Sequence, residues 1–216
     1  MINPRFLIAA PLLACALWPV SARESRLLND KWSFSLTPDS TSQLQPVNKI
    51  VDLPHDWSVE FPFNQNTMSG TEGGYVYTGK GTYTKDINLT AKELDGAKYS
   101  LLFEGVFERW TLKVNGETVG FRPYGYSSVI YDITPYLHVG KNEIEVIVDN
   151  SHQNNSRWYS GSGIYRHVKL IRTGEIAVAP WSLFITTPTV SASEATVDVS
   201  FDVDGLPHGK VVEAKI

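Results

Sequence analysis

The sequence predicts an all-β protein: a sandwich of two antiparallel sheets, followed by the opening of a second β-unit. Three observations lead there. Apolar residues alternate at period two in many segments, hydrophobic repeats at helical spacing are almost absent, and Gly, Pro and Asn separate the alternating runs. Short strands at such close spacing bury one face most simply by packing sheet against sheet.

Taken in order, KWSFSL (31–36) puts Trp32, Phe34 and Leu36 on one face of a strand. YSLLFEG (99–105) does the same with Tyr99, Leu101 and Phe103. WTLKVNGETVGF (110–121) reads as a hairpin, with Trp110, Leu112 and Val114 alternating before Asn115-Gly116, the pair that a type I′ turn favours. EIEVIV (143–148) follows a Gly140-Lys141-Asn142 turn, and GIYRHVKLIR (163–172) predicts one long strand. A boundary is expected near 173–182, where TGEIAVAPW turns and alternates only weakly. Beyond it SLFITTP (182–188) and ATVDVSFDV (195–203) predict new strands, the second with Val197, Val199, Phe201 and Val203 on one face, and KVVEAKI (210–216) begins a third. So short a stretch cannot bury a sandwich core alone, and a second domain left incomplete by this sequence is expected over 175–216.

Residues 1–22 carry the marks of an export signal. Arg5 supplies a positive start, FLIAAPLLACALW (6–18) is an apolar run too short to span a bilayer, and Val20-Ser21-Ala22 offers small residues for cleavage. The first domain is then expected over 23–174 and the location is periplasmic or extracellular. Leu12-Leu13-Ala14-Cys15 resembles a lipoprotein cleavage site and forms a rival reading, although the apolar run continues past Cys15. Cys15 is the only cysteine; its removal would leave a chain without disulfides or a thiol nucleophile.

Composition narrows the chemistry. The chain is 42% hydrophobic and 19% charged, with a formal charge of −4 and no basic block, so a nucleic-acid partner is not expected. The five histidines, His55, His138, His152, His167 and His208, show no paired metal-ligand spacing, and neither a metal nor a cofactor is expected. Gly161-Ser162-Gly163 is no nucleotide loop, since it lacks a third glycine or a Lys-Ser/Thr pair and precedes a strand. No Gly-x-Ser-x-Gly elbow is present. Among carboxylates, Glu104, Glu108, Asp132 and Asp149 fall near predicted strand ends. Turn and surface roles are favoured for them, because no spacing pairs any two for hydrolysis. No catalytic residue is assigned.

SRWYSGSGIYRHV (156–168) is different. An arginine and several aromatics sit where small polar loop residues are usual. Sugars are held by an aromatic face against their C–H side and by charged or amide groups at their hydroxyls. Trp158 or Tyr159 could supply the face, and Arg157, Asp149 and Asn150 the hydrogen bonds. Equally, Trp158 could plug the end of the sandwich while Arg157 pairs with an acid. Pro54-His55-Asp56-Trp57 is a second loop of this kind, for which turn chemistry is the favoured reading.

Five motifs in register resemble one family: LPHDW (53–57), GTEGGYVYTGKGTY (70–83), FEGV with the following Val-Asn-Gly hairpin (103–116), GYSSVIYDITPYLHVGKNEIEVIVDN (125–150) and RWYSGSGIYRHVKL (157–170). Over about 27–172 they are similar to the N-terminal sugar-binding domain of glycoside hydrolase family 2, of the β-galactosidase type. The resemblance implies a jelly-roll domain, an immunoglobulin-like domain and then a (β/α)₈ barrel whose two glutamates perform retaining hydrolysis. It implies that Asp149, Asn150 and the Arg157–Tyr159 loop reach over the barrel mouth to the terminal sugar. The implied partners are a β-galactoside or related glycoside and a downstream catalytic domain; glucuronidase and mannosidase relatives share the domain type. A free carbohydrate-binding module and an adhesive β-sandwich are the competing functions.

The leader reading has a direct test. N-terminal sequencing of exported material should begin at Arg23, whereas a lipid-modified Cys15 at the mature start would replace the cleaved-signal reading with membrane anchoring.

Overall fold

The alternating runs form strands because each buries one side. Trp32, Phe34 and Leu36 are at most 1% exposed, as are Ile144, Val146 and Val148 on another strand of the same sheet. The computed structural model describes residues 23–41, 43–152, 155 and 159–207. Their order is β1 (Glu24–Leu27), β2 (Trp32–Pro38), β3 (Val47–Val51), β4 (Gly79–Leu89), α1 (Ala91–Leu94), β5 (Ala97–Phe103), β6 (Trp110–Val114), β7 (Glu117–Arg122), β8 (Val129–Asp132), β9 (Gly140–Asp149), β10 (Val168–Gly174), β11 (Ala177–Val178), β12 (Phe184–Val190), β13 (Ala195–Ser200) and β14 (Val203–Asp204). Single 3₁₀ turns occupy Trp57–Val59 and Thr134–Tyr136.

Ten strands make the sandwich. A six-stranded sheet runs β3-β2-β4-β9-β6-β7 and a four-stranded sheet runs β1-β10-β5-β8, every pairing antiparallel. The core lies between them, with Tyr83, Leu112 and Val146 from the larger sheet facing Leu101 and Val168 from the smaller. Phe103 of β5 meets Trp110 of β6 across this gap at a centroid distance of 4.8 Å. Such an aromatic pair adds about 0.5–1.5 kcal/mol beyond the area it buries.

The predicted hairpin forms as read. Asn115 and Gly116 both take positive φ, 52° and 83°, between β6 and β7. The long strand predicted over 163–172 does not form as one piece. Gly163 makes an isolated antiparallel bridge to Phe107, and strand pairing resumes only at Val168. The intervening backbone turns to another partner, with the His55 N–H donating to the Ile164 carbonyl at 2.8 Å. The longest strand, β4, was hidden from period-two reading by its glycines. Gly81 is required there, because a Cβ would lie 2.5 Å from Trp57 Cζ3 and 3.0 Å from Phe34 Cε2.

After Gly174 the chain forms two short ribbons, β11 with β14 and β12 with β13. The expected single face of Val197, Val199, Phe201 and Val203 is split between them, since β13 ends at Ser200 and Val203 pairs with Val178 instead. Phe184, Ile185 and Val197 in these ribbons stay more than half exposed. The strand expected at 210–216 lies outside the described residues, as do Cys15 and the rest of the segment expected to be a leader.

Gly163 joins the two sheets to the loops at one end, and its replacement tests that junction. Its φ is +108°, and a Cβ would sit 2.2 Å from the Tyr83 hydroxyl and 3.0 Å from the His55 carbonyl oxygen. Gly163→Ala should cost about 2–4 kcal/mol, adding left-handed backbone strain to overpacking. Gly116→Ala, with φ +83° and nothing within 4 Å, should cost only about 1–2 kcal/mol. Urea denaturation of both variants measures the difference, and equal losses would rule out the packing role.

Candidate functional site

Pro54-His55-Asp56-Trp57 supplies the organising group of the strand-end loops. Asp56 caps the 3₁₀ turn that follows it, accepting the Ser58 N–H at 2.9 Å. The same carboxylate reaches across the chain. It accepts the Ser162 N–H at 2.8 Å and the Tyr159 hydroxyl at 2.6 Å. Main-chain bonds run parallel to this latch, with the Trp57 N–H donating to the Ser162 carbonyl at 3.2 Å. Gly161 is needed beneath it, because φ is +70° and a Cβ would stand 2.8 Å from Asp56 Oδ2.

Asn150 completes the latch from β9. Its side chain is 2% exposed, and its amide donates to Ser162 Oγ at 2.6 Å and to the Gly161 carbonyl at 3.2 Å. Asn155 donates in turn to Asn150 Oδ1 at 3.1 Å. The structure therefore gives Asn150 a positioning role, with its amide turned into the loop.

Asp149, the last residue of β9, lies nearer solvent. It pairs with Lys80 at 3.1 Å and accepts the Ser151 N–H and hydroxyl at 3.0 and 2.5 Å. Burial pushes its carboxyl up, but the Ser151 bonds and Lys80 outweigh this and hold it below its ordinary value. Its backbone N–H is shared between the Glu108 and Arg109 carbonyls at 3.2 and 3.3 Å, which brings Glu108 to the same end. Burial raises the Glu108 carboxyl, with Asp149 adding to the effect and Arg109 and His152 opposing it.

Of the described candidate residues, Tyr159 is the most open to solvent. It is 53% exposed while its hydroxyl is anchored, so the ring is presented to solvent in a fixed place. Burial and the Asp56 carboxylate push its phenol well above the ordinary value, so it remains a donor to Asp56 at neutral pH. Arg157 and Trp158 lie outside the described residues. Thus Asp149, Asn150 and Tyr159 come to one end of the sandwich, with Asp56 between the two loops.

Under this surface is a polar layer that no motif announced. His55, 7% exposed, has Nδ1 2.7 Å from the Tyr83 hydroxyl and Nε2 3.2 Å from Glu60, which also pairs with Lys49. Burial holds the imidazole below its ordinary value, against the opposing pull of Glu60. It is therefore neutral in the fold near pH 7. Its contribution to stability is present above the unfolded value of about 6.5 and is lost as pH falls through the lower folded value.

The remaining acids have structural roles. Glu104 pairs with Lys169 at 2.6 Å. Asp132 closes a turn on the Thr134 N–H and hydroxyl at 2.9 and 2.6 Å. Among the described residues no three His, Cys, Asp or Glu side chains are grouped to hold a metal ion.

Residues 25–174 match the model for glycosyl hydrolases family 2, sugar binding domain. The chain belongs to glycosyl hydrolase family 2. A β-galactosidase of Bacteroides ovatus is 41% identical over 187 residues, covering 84% of this chain and 22% of that protein. Among solved structures, a β-glycosidase from Bacteroides vulgatus superposes with a TM-score of 0.76 at 32% identity, covering 85% of this chain and 24% of that one. A β-glucuronidase from Bacteroides uniformis gives 0.68 at 26% identity, covering 84% and 22%. The chain thus spans about a quarter or less of these family 2 relatives. Its described helices are single turns, and the elements of a (β/α)₈ barrel are not among its described residues.

The Asp56 latch is open to measurement. Asp56→Ala removes three hydrogen bonds to a charged acceptor and should cost about 2–4 kcal/mol, whereas Tyr159→Phe, which removes one, should cost about 1 kcal/mol. Urea denaturation gives both numbers. A loss below about 0.5 kcal/mol for Asp56→Ala would show that the main-chain bonds hold the loops without it.

Proposed function

We propose that this chain forms the N-terminal part of an exported, β-galactosidase-like retaining hydrolase and shapes the substrate pocket of its catalytic barrel. The observation that carries the reading is the anchored, half-exposed Tyr159 ring at the same end as the ionised Asp149. A sugar offers a C–H face and several hydroxyls, and this end offers a flat ring and a charged acceptor for them. Arg157 and Trp158, which adjoin Tyr159 in the sequence, lie outside the described residues and enter the proposal from the sequence alone. Galactosides are the favoured substrates because of the likeness to the Bacteroides ovatus enzyme, and glucuronides are the rival class because of the likeness to the Bacteroides uniformis enzyme. The fold carries sugar recognition in this reading, while acid/base and nucleophile chemistry belongs to two carboxylates of the barrel.

A free carbohydrate-binding module is the second reading, favoured by the family's description as a sugar binding domain. Saturable galactose binding by the chain alone, abolished by Tyr159→Ala, would support it. The adhesive β-sandwich has no comparable observation behind it.

The test uses the longer enzyme. Arg157→Ala, Trp158→Ala and Tyr159→Ala should each lower kcat/KM by roughly 10- to 150-fold, the equivalent of about 1.5–3 kcal/mol for a lost charge-assisted bond or stacking face. The fall should appear in KM if the contact is equal in ground and transition states, and in kcat if it tightens as the ring flattens. Unchanged kcat/KM with a lower melting temperature would make the loop a packing element and defeat the proposal.

A further inference from the structure

At the opposite end of β4 from Lys80 and Asp149, the two sheets part around a cleft of about 310 Å³. That is the lower end of the range of about 300–1,000 Å³ that small-molecule sites occupy. Its walls follow from strand register. Directly paired residues of antiparallel strands point to the same side of the sheet. Arg26 is paired with the core residue Leu170, and Arg172 is paired both with Glu24 and with the core residue Tyr99. Arg26 and Arg172 therefore face the space between the sheets. Leu89 closes the cleft from the end of β4, and α1 brings Lys92 and Glu93 to its rim.

The charges of this cleft are not spent on one another. Among the described residues, neither Arg26 nor Lys92 makes an ion pair or a side-chain hydrogen bond, and Arg172 makes one bond, from Nε to the Glu93 carbonyl at 3.2 Å. The Glu93 carboxylate is already occupied in a capping box, accepting the Thr90 N–H and hydroxyl at 2.7 Å each. Those bonds, with Arg26 and Arg172 nearby, hold it below its ordinary value, so it stays charged without closing on either guanidinium. Three cations thus line a cleft with an apolar floor of Leu89, Leu170 and Tyr99, in a chain whose formal charge is −4.

We propose that this cleft binds a small anionic ligand: a carboxylate or sulfate carried on a ring of about monosaccharide size. The two guanidiniums and the Lys92 ammonium receive the anion, since fork-shaped donors suit carboxylate and sulfate oxygens. Leu89, Leu170 and Tyr99 receive the ring's C–H face. Glu24, opposite Arg172 in register, is free to accept a ring hydroxyl.

Isothermal titration of the chain with sodium glucuronate, sodium sulfate and galactose at matched ionic strength tests this. Saturable glucuronate binding is expected, weakened at least about tenfold in Arg26→Gln and in Arg172→Gln but unaltered in Lys113→Gln on β6, a cation outside the cleft. Arg26→Gln is the cleaner variant because the Arg26 side chain makes no bond among the described residues, and its melting temperature without ligand should equal that of the parent. Sulfate binding as tightly as glucuronate would mean that the anion alone is read; binding of glucuronate only would mean that the ring contributes. Either result supports the site. Glucuronate binding indifferent to both arginine variants, or galactose binding that weakens in those variants as glucuronate binding does, would overturn it. Absence of saturable binding would also overturn it, leaving inward-pointing charges that only guard an edge strand against pairing.

Discussion

One carboxylate orders the end of the sandwich on which the functional reading rests. Asp56 accepts from its own turn at Ser58 and from Ser162 and Tyr159 of the distant loop. Each bond answers a different need. The first starts a 3₁₀ turn, the second fixes the backbone between two positive-φ glycines, and the third aims an aromatic ring. A charged acceptor serves better than a neutral one here, because bonds to an ionised group are stronger and three donors converge on two oxygens. Everything nearby conforms to that demand. Gly161 has no Cβ to press on Asp56, Gly163 lets Tyr83 approach, and Trp57 is carried to full burial against Gly81.

Much of the sandwich was legible in the sequence because its signals were local. Period-two burial in β2, β5, β6 and β9 follows from alternating side chains, and Asn115-Gly116 specifies its turn by backbone preference alone. β4 escaped because its glycines answer to tertiary neighbours, Gly79 to Thr37 and Pro38 and Gly81 to Trp57 and Phe34, which only the fold brings near. The division of 163–172 into a bridge, a loop and a strand escaped for the same reason, since Ile164 takes its hydrogen bond from His55. Local apolar patterning says nothing of such a partner.

Around the candidate site, position was more legible than partners. Asp149 and Tyr159 lie at the same end of the sandwich, one closing β9 and the other in the glycine loop. Asn150 is drawn inward to donate to the Gly161 carbonyl and the Ser162 hydroxyl, partners that a linear reading cannot see. Asp56 was read as turn chemistry, and it does cap a turn. Its second and third bonds come from residues far along the chain, so no spacing rule could have found them. The buried pair of His55 and Tyr83 likewise becomes visible only when β4 lies beside the LPHDW loop.

The latch also bears on the order of assembly. Asp56 and Ser162 are 106 residues apart in sequence, and Asp56 and Tyr159 are 103 apart. Closing a loop of that size carries an entropic cost that must be met before the contact returns any energy, and contacts of such separation slow folding. During synthesis, β2 to β9 can all have emerged while the Asp56 carboxylate still faces water. The latch can therefore close only after residues 159–162 have been made, and its contacts belong to the long-range set whose loop-closure cost is met before they stabilise the fold.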